Sequence, residues 1–254
     1  MNSELIRNDF PILKTKVGGH QIVYFDNAAT TQRPLPVVNA VLDYTTHENG
    51  NPHRGAHIFA ISASEAYDTS KEVVRDFIHA RSEKEIIYTR NTSESLNLVA
   101  RSYGETHLKA GDHILITIAE HHSNLVTWQR VAQKTGATLD YIYVDKETGH
   151  FPEEELKKID DPRVKLFAFA EVSNVLGIDF DPKPLIQRAH AHGAIVVLDG
   201  AQSTPHKIVD VQDLDCDFFA FSGHKMCSMG GIGVLYGKEE LLNDMEPFLS
   251  LIHI

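Results

Sequence analysis

Cysteine is nearly missing from this chain. Two residues, Cys216 and Cys227, occur in 254, too few for a fold stapled by disulfides. An excess of positive charge is missing as well: 24 lysines and arginines face 35 aspartates and glutamates, a formal net charge of -11. That balance argues against a nucleic-acid partner while leaving room for a local basic pocket. No apolar run approaches the roughly 20 residues needed to cross a bilayer. The opening residues, Met1-Asn2-Ser3-Glu4-Leu5-Ile6-Arg7-Asn8-Asp9-Phe10, lack the charged-then-apolar layout of a signal peptide. A cytosolic location with no membrane partner is therefore expected. Internal repeats and low-complexity tracts are absent, and no Gly-x-Gly-x-x-Gly follows an early strand, which disfavours a dinucleotide-binding fold.

What the chain has instead is alternation. Apolar runs at 85–88, 113–117, 138–144, 164–170, 194–198 and 217–221 read as strands. Amphipathic stretches at 95–103, 125–135, 152–159, 184–192 and 238–244 read as helices. Strands that are apolar almost throughout, separated by helices, predict an α/β fold: a mostly parallel sheet with helices on both faces. Such sheets bind ligands beyond the carboxyl ends of their strands.

Two of those ends carry the chemistry. Ile195-Val196-Val197-Leu198 ends in Asp199, with Gly200-Ala201-Gln202 following, and Phe218-Phe219-Ala220-Phe221 ends in Ser222-Gly223-His224-Lys225. An acid and an amine delivered to one sheet edge suit pyridoxal 5'-phosphate (PLP). The lysine forms the Schiff base, the acid keeps the pyridinium nitrogen protonated, and the hydroxyl and imidazole hold phosphate. Each residue also has a plainer reading. Asp199 alone is as readily a turn or helix cap, and Asn174 alone is a turn residue. Asn91-Thr92-Ser93-Glu94 is an N-cap with an acidic first turn, a phosphate cradle, or both. His121 and His122 follow a strand, but no carboxylate or thiol lies at a metal-site spacing from them. The His53 and His57 pair is broken by Gly55 and Pro52, so a metal centre is disfavoured. A flat imidazole over the cofactor ring is the better use of His121.

Taken in order, these segments resemble the SufS-type cysteine desulfurases, within the class V aminotransferase-like, fold-type I PLP enzymes. The resemblance rests on Asp9-Phe10-Pro11, Tyr24-Phe25-Asp26-Asn27-Ala28-Ala29-Thr30, His53-Arg54-Gly55-Ala56-His57 and Glu120-His121-His122-Ser123-Asn124 with Trp128-Gln129. It continues through Val172-Ser173-Asn174-Val175-Leu176-Gly177, Asp199-Gly200-Ala201-Gln202 and Ser222-Gly223-His224-Lys225. It implies a fold-type I large domain over 21–246, after an N-terminal segment at 1–20. Lys225 would be the Schiff-base lysine and later the base at Cα, Asp199 would pair with the pyridinium nitrogen, and His121 would stack on the ring. Gln202 and Asn174 would contact the phenolic-oxygen side. Thr92, Ser93, Ser222 and His224 would hold the phosphate, and His53 would lie at the mouth of the site. The implied reaction takes sulfur from L-cysteine, leaving L-alanine and an enzyme persulfide for iron–sulfur cluster assembly. The implied partners are a second copy, as a homodimer, and a sulfur-acceptor protein.

Departures from the family pattern are equally specific. Asn91 stands where a glycine is usual, which is expected to tighten that turn. Thr127 replaces the proline before Trp128, and the loop Met226-Cys227-Ser228-Met229-Gly230-Gly231 has lost a Gly-Pro turn. The family's nucleophilic cysteine and substrate-clamping arginine fall past the end of this sequence, in a C-terminal small domain. Cys216 reads as a packing residue, whereas Cys227, two residues past Lys225, is close enough in sequence to approach the pocket as a substitute sulfur acceptor. Residues 247–254 read as an aberrant or truncated tail. Weak PLP binding and no persulfide turnover are expected of the chain by itself. Selenocysteine lyase or another class V activity on the same cofactor, with L-selenocysteine as an alternative substrate, and a non-catalytic, dimerising PLP-fold fragment are the competing readings.

Overall fold

Strands that read as apolar throughout do so because both of their faces are covered. In the computed structural model, which describes residues 3–248, seven strands form the central sheet. They follow a short antiparallel ribbon, β1 (Lys16–Val17) and β2 (His20–Gln21). The sheet strands are β3 (Ile86–Thr89), β4 (His113–Thr117), β5 (Thr138–Ile142), β6 (Val164–Ala170), β7 (Ile195–Asp199), β8 (Phe218–Ser222) and β9 (Gly233–Gly237), in the order β3-β9-β8-β7-β6-β4-β5. The helices are α1 (Ser3–Asn8), α2 (Leu35–Asp43), α3 (Ile58–Phe77), α4 (Thr92–Val99), α5 (Glu105–His107), α6 (Val126–Thr135), α7 (Glu153–Leu156), α8 (Pro182–Ala191), α9 (Val211–Leu214) and α10 (Glu239–Asp244).

Side chains alternate across the sheet and build two cores. Leu115, Phe167, Phe169, Val196, Leu198 and Phe219 pack on one face with Leu185, Ile186 and Ala189 of α8. Ile114, Ile116, Leu166, Ala168, Val197 and Phe218 pack on the other with Leu96 and Val99 of α4 and Trp128 and Val131 of α6. The sheet is mostly parallel, as expected, with one antiparallel strand. β9 runs antiparallel to both of its neighbours, β8 and β3. It was not anticipated, since a strand bracketed by glycines and buried along its length has the same pattern in either direction.

Helix boundaries moved where caps outrank hydrophobic periodicity. α4 starts at Thr92, three residues before the expected 95, because the Asn91 side chain caps it by accepting from the Glu94 N–H at 2.9 Å. It then passes into a π turn at Ala100–Gly104. α8 starts at Pro182, with Asp181 as its cap. The helix expected at 152–159 is split into α7 and a 3-10 turn at Lys157–Asp160. Helices α2 and α3 had no counterpart in the sequence reading. The possible aberrant tail at 247–254 lies largely outside the described residues.

The chain runs from β4 outward to β5, then crosses back to β6 and proceeds the other way through β7 and β8. This reversal opens a crevice beyond the carboxyl ends of β4 and β6, the usual ligand position in open α/β sheets. Gly200 opens the turn after β7. A Cβ there would stand 2.0 Å from the Phe219 ring, so only glycine lets this turn lie so close to the sheet.

Candidate active site

A cleft of about 570 Å³ opens at the carboxyl edge of the sheet, within the range typical of small-molecule sites. It gathers Thr92, Ser93, His121, Asn174, Asp199, Gln202, Ser222, His224 and Lys225 on one wall or another. These come from α4 and from the ends of β4, β6, β7 and β8, segments spread over 134 positions of the chain from 92 to 225.

At one end lies a cluster of hydroxyls. The Thr92 N–H donates to Ser222 Oγ at 2.7 Å, and the two hydroxyls are 2.6 Å apart, both buried at the start of α4. A helix N-terminus with hydroxyls and unused amides is suited to a phosphate. Asn91 does not strain this turn as expected: its backbone is extended, a conformation open to any residue, and its side chain adds the cap. His224 lines the same cleft, its Nδ1 3.2 Å from Thr30 Oγ1. Burial and the neighbouring Lys225 and Arg33 hold its pKa below the usual imidazole value.

At the other end lies the acid. Asp199 is buried, with Oδ1 accepting the Ala201 N–H at 2.9 Å. Burial raises its pKa, against the pull of the hydrogen bond and of the Lys225 and His121 charges. Lys225, on the 3-10 turn after β8, is pushed the opposite way: burial lowers its pKa and the charge of Asp199 only partly offsets this. Among the described residues Lys225 makes no ion pair. An amine with a depressed pKa and an acid with an elevated one are the mark of a reactive site.

His121 is fixed from beneath. The Ser123 N–H donates to its Nδ1 at 3.2 Å, and Ser123 Oγ lies 2.7 Å from the same atom. Because Nδ1 accepts, the neutral ring carries its proton on Nε2. Burial, with Lys225 and His122 nearby, keeps the pKa low and the ring neutral.

Behind His121 is a group the sequence reading did not single out. Glu120 is buried and receives Thr117 Oγ1, Asn124 Nδ2 at 2.6 Å and the Ala170 N–H at 3.0 Å. Trp128 Nε1 donates in turn to Asn124 Oδ1 at 2.8 Å. Burial raises the Glu120 pKa to about 8. Glu, Asn and Trp at four-residue spacing after a strand were the signal available for this chain of bonds. The segment carrying Asp26, Ala28 and Ala29 was also assigned no role, yet it covers the cleft. It is held by Gln202 Nε2 to the Ala28 carbonyl at 2.8 Å and by the Thr31 N–H to the His224 carbonyl at 2.9 Å.

Three residues fall elsewhere. His53 does not line the cleft. Its ring meets Tyr67 edge-on at 5.3 Å, and its Nε2 is 3.7 Å from Asp68. Cys216 is buried in the sheet's core, where burial raises its pKa and makes it inert. Cys227 is turned away from the cleft, against α1, Tyr24 and Thr31, with its N–H donating to Thr31 Oγ1 at 2.7 Å. No thiol therefore reaches the cleft among the described residues.

The sequence profile of the class-V aminotransferases matches residues 23–252. The chain belongs to the class-V aminotransferase family. It is similar to a probable cysteine desulfurase of Halalkalibacterium halodurans, 49% identical over 97% of this chain and 61% of that protein. It is similar to another of Synechocystis sp., 48% identical over 96% of this chain and 58% of that one. Its fold matches the apo cysteine desulfurase of Thermococcus onnurineus NA1 with a TM-score of 0.89 at 42% identity, over 98% of this chain and 60% of that one. The cysteine desulfurase CsdA of Escherichia coli matches with a TM-score of 0.85 at 38% identity, over 98% and 61%. This class-V chain thus spans about three fifths of the length of the relatives it matches. No helix among the described residues is long and apolar enough to cross a membrane.

Proposed function

We propose that this chain is the cofactor-binding part of a PLP-dependent cysteine desulfurase. The observation that carries the reading is the placement of Lys225 and Asp199 at the ends of adjacent strands, in one cleft with the hydroxyl-lined start of α4. The donor set fits PLP: hydroxyls and a helix N-terminus for the phosphate, a buried acid for the ring nitrogen, and an amine for the aldehyde. When bound, PLP supplies an electron sink that stabilises negative charge at the substrate Cα.

The residues themselves do the rest. Thr92, Ser93, Ser222 and His224 receive the phosphate. Asp199, buried and without an ion pair among the described residues, would face the ring nitrogen and favour its protonated form. His121, neutral and braced by Ser123, covers the ring. Gln202 and Asn174 face the phenolic oxygen. Lys225 Nζ, its pKa lowered by burial, would serve first as the amine for the cofactor's aldehyde and then as a base for a Cα proton.

L-cysteine as substrate is supported by the names of the relatives and by a structural neighbour at 27% identity, SspA, described in complex with cysteine. The exposed apolar residues Leu35, Val38, Val41 and Leu42 of α2, with Ile58, Phe59, Ile61 and Phe77 of α3, support a homodimer. Delivery of sulfur to an acceptor protein for iron–sulfur assembly in the cytoplasm completes the reading. Since neither Cys216 nor Cys227 reaches the cleft, this chain alone is expected to form no persulfide, and cysteine-dependent alanine production by it would count against that.

The test is the visible absorption band that appears when purified protein is mixed with PLP. The band is expected in the wild type and lost completely in Lys225→Ala, with unfolding temperature unchanged or slightly raised. A band that persists in the variant sinks the assignment of Lys225.

A further inference from the structure

Two arms carry the residues on the phenolic-oxygen side. One is the hairpin after β6, closed by a bridge between Val172 and Asp179, with Asn174 near its tip. The other is the turn after β7, held by Thr204 N–H to the Gly200 carbonyl and carrying Gln202. Lys207 ends the second arm, its N–H bonded to the Ser203 carbonyl at 2.9 Å. Its Nζ crosses to the first arm, donating to Glu171 Oε1 at 2.6 Å and to Asp179 Oδ1 at 2.9 Å, the two ends of the hairpin's base.

Glu171 makes this pair unusual. It is 3% exposed, and its Oε2 is the one buried side-chain polar atom without a hydrogen-bond partner among the described residues. Burying a carboxylate with one oxygen unpaired is costly. The same hairpin is tied on its other side to the segment bearing His121, by Ser173 Oγ to the Ala119 carbonyl at 2.9 Å.

Resting on the PLP reading above, we propose that Lys207 is a positioning residue, a clasp that sets the spacing between Asn174 and Gln202. Its cation joins the arms at their bases, so their tips hold a fixed gap across the cleft. Sites are exact only when supporting contacts lock them, and the side-chain bonds that hold each arm otherwise run to different segments, Ser173 to Ala119 and Gln202 to Ala28.

The experiment compares wild type, Lys207→Arg, and the double variant Lys207→Met/Glu171→Gln, which removes the buried acid together with the cation and leaves only the solvent-exposed Asp179 without its partner. Backbone hydrogen exchange is followed in peptides covering 172–179 and 200–206, with β4 and β6 as internal references. The double variant is expected to exchange about tenfold faster in both arms and at the wild-type rate in the strands. With PLP added, the pH midpoint of its Lys225-dependent band is expected to move, while Lys207→Arg retains the wild-type exchange and midpoint. Wild-type exchange in both arms of the double variant overturns the clasp. So do loosened arms with an unmoved midpoint, which would make Lys207 a stabiliser and nothing more. If the wild type itself gives no Lys225-dependent band, the PLP reading fails, and the exchange rates alone then decide whether the arms are clasped.

Discussion

The two ends of the sheet handle buried charge in opposite ways. At the carboxyl edge Asp199 and Glu120 are raised in pKa by burial, and Lys225 and His121 are lowered by it. Each is pushed toward its neutral form. At the amino edge, Asp217 is equally inaccessible at 4% exposure. It accepts from Lys238 Nζ at 2.8 Å, from the Val196 N–H at 2.7 Å, and lies 2.8 Å from His190 Nε2. Burial would raise its pKa, but those partners outweigh it and hold the carboxyl below its ordinary value. His190 is raised by its bond to Asp217, and Lys238, despite burial, is raised by Asp215 and Asp217. Both edges bury ionisable groups, yet only the amino edge pairs acid with base. Asp199 and Lys225, which no ion pair among the described residues joins, leave places for charge at the carboxyl edge that a bound molecule can fill.

Removing one acid from each edge breaks this contrast most sharply. Asp217→Ala leaves Lys238 and His190 only the more exposed Asp215 and takes the acceptor from the buried Val196 N–H, and is expected to cost about 3 kcal/mol in urea unfolding with little change in PLP affinity per folded molecule. Asp199→Asn removes a buried acid that no ion pair among the described residues balances. Its unfolding free energy is expected to match or exceed the wild type, while PLP affinity falls about tenfold or more. Equal destabilisation by the two substitutions would erase the distinction between the edges.

The same contrast explains how much could be read in advance. Asp199, Ser222, His224 and Lys225 were legible because an apolar run that stops at a polar residue marks a strand end, and in an α/β sheet those ends converge. Thr92 and His121 were legible from a cap and a post-strand position. The paired ions of the amino edge left no such signal, since His190, Asp217 and Lys238 are brought together by three separate elements. Lys207 was hidden for the same reason, its partners lying 36 and 28 residues away. Helix α3, 20 residues long, buries only Ala60 and Ala63 and leaves Ile58, Phe59, Ile61, Val73 and Phe77 exposed, so its apolar residues do not gather into one core-facing stripe. His53 matched a motif, but its left-handed backbone (φ 65°) and its contact with Tyr67 place it away from the described cleft.

Acidity sharpens the comparison further, with smaller effects. Glu120 has a folded pKa of about 8 against an ordinary 4.5. A raised carboxyl contributes stability that is complete below about 4.5 and is lost as pH climbs to about 8, because the unfolded chain releases its proton first. Glu120→Gln does not titrate, so its unfolding free energy is expected to fall less than that of the wild type between pH 5 and 8. A variant that follows the wild-type curve would mean that Glu120 is ionised in the fold. His190 acts in the same direction from the other edge. Its raised pKa favours the folded state fully below its ordinary value of 6.5, and that contribution fades as pH rises through the folded value. Because the two windows overlap, one pH curve does not separate them, but His190→Gln does. It is expected to lower stability at pH 6 more than at pH 9, leaving the fall between pH 5 and 6 that Glu120 causes. The smaller size follows from geometry: His190 is a quarter exposed at its side chain, so solvent screens its pairing with Asp217, whereas Glu120 has no solvent to relieve it.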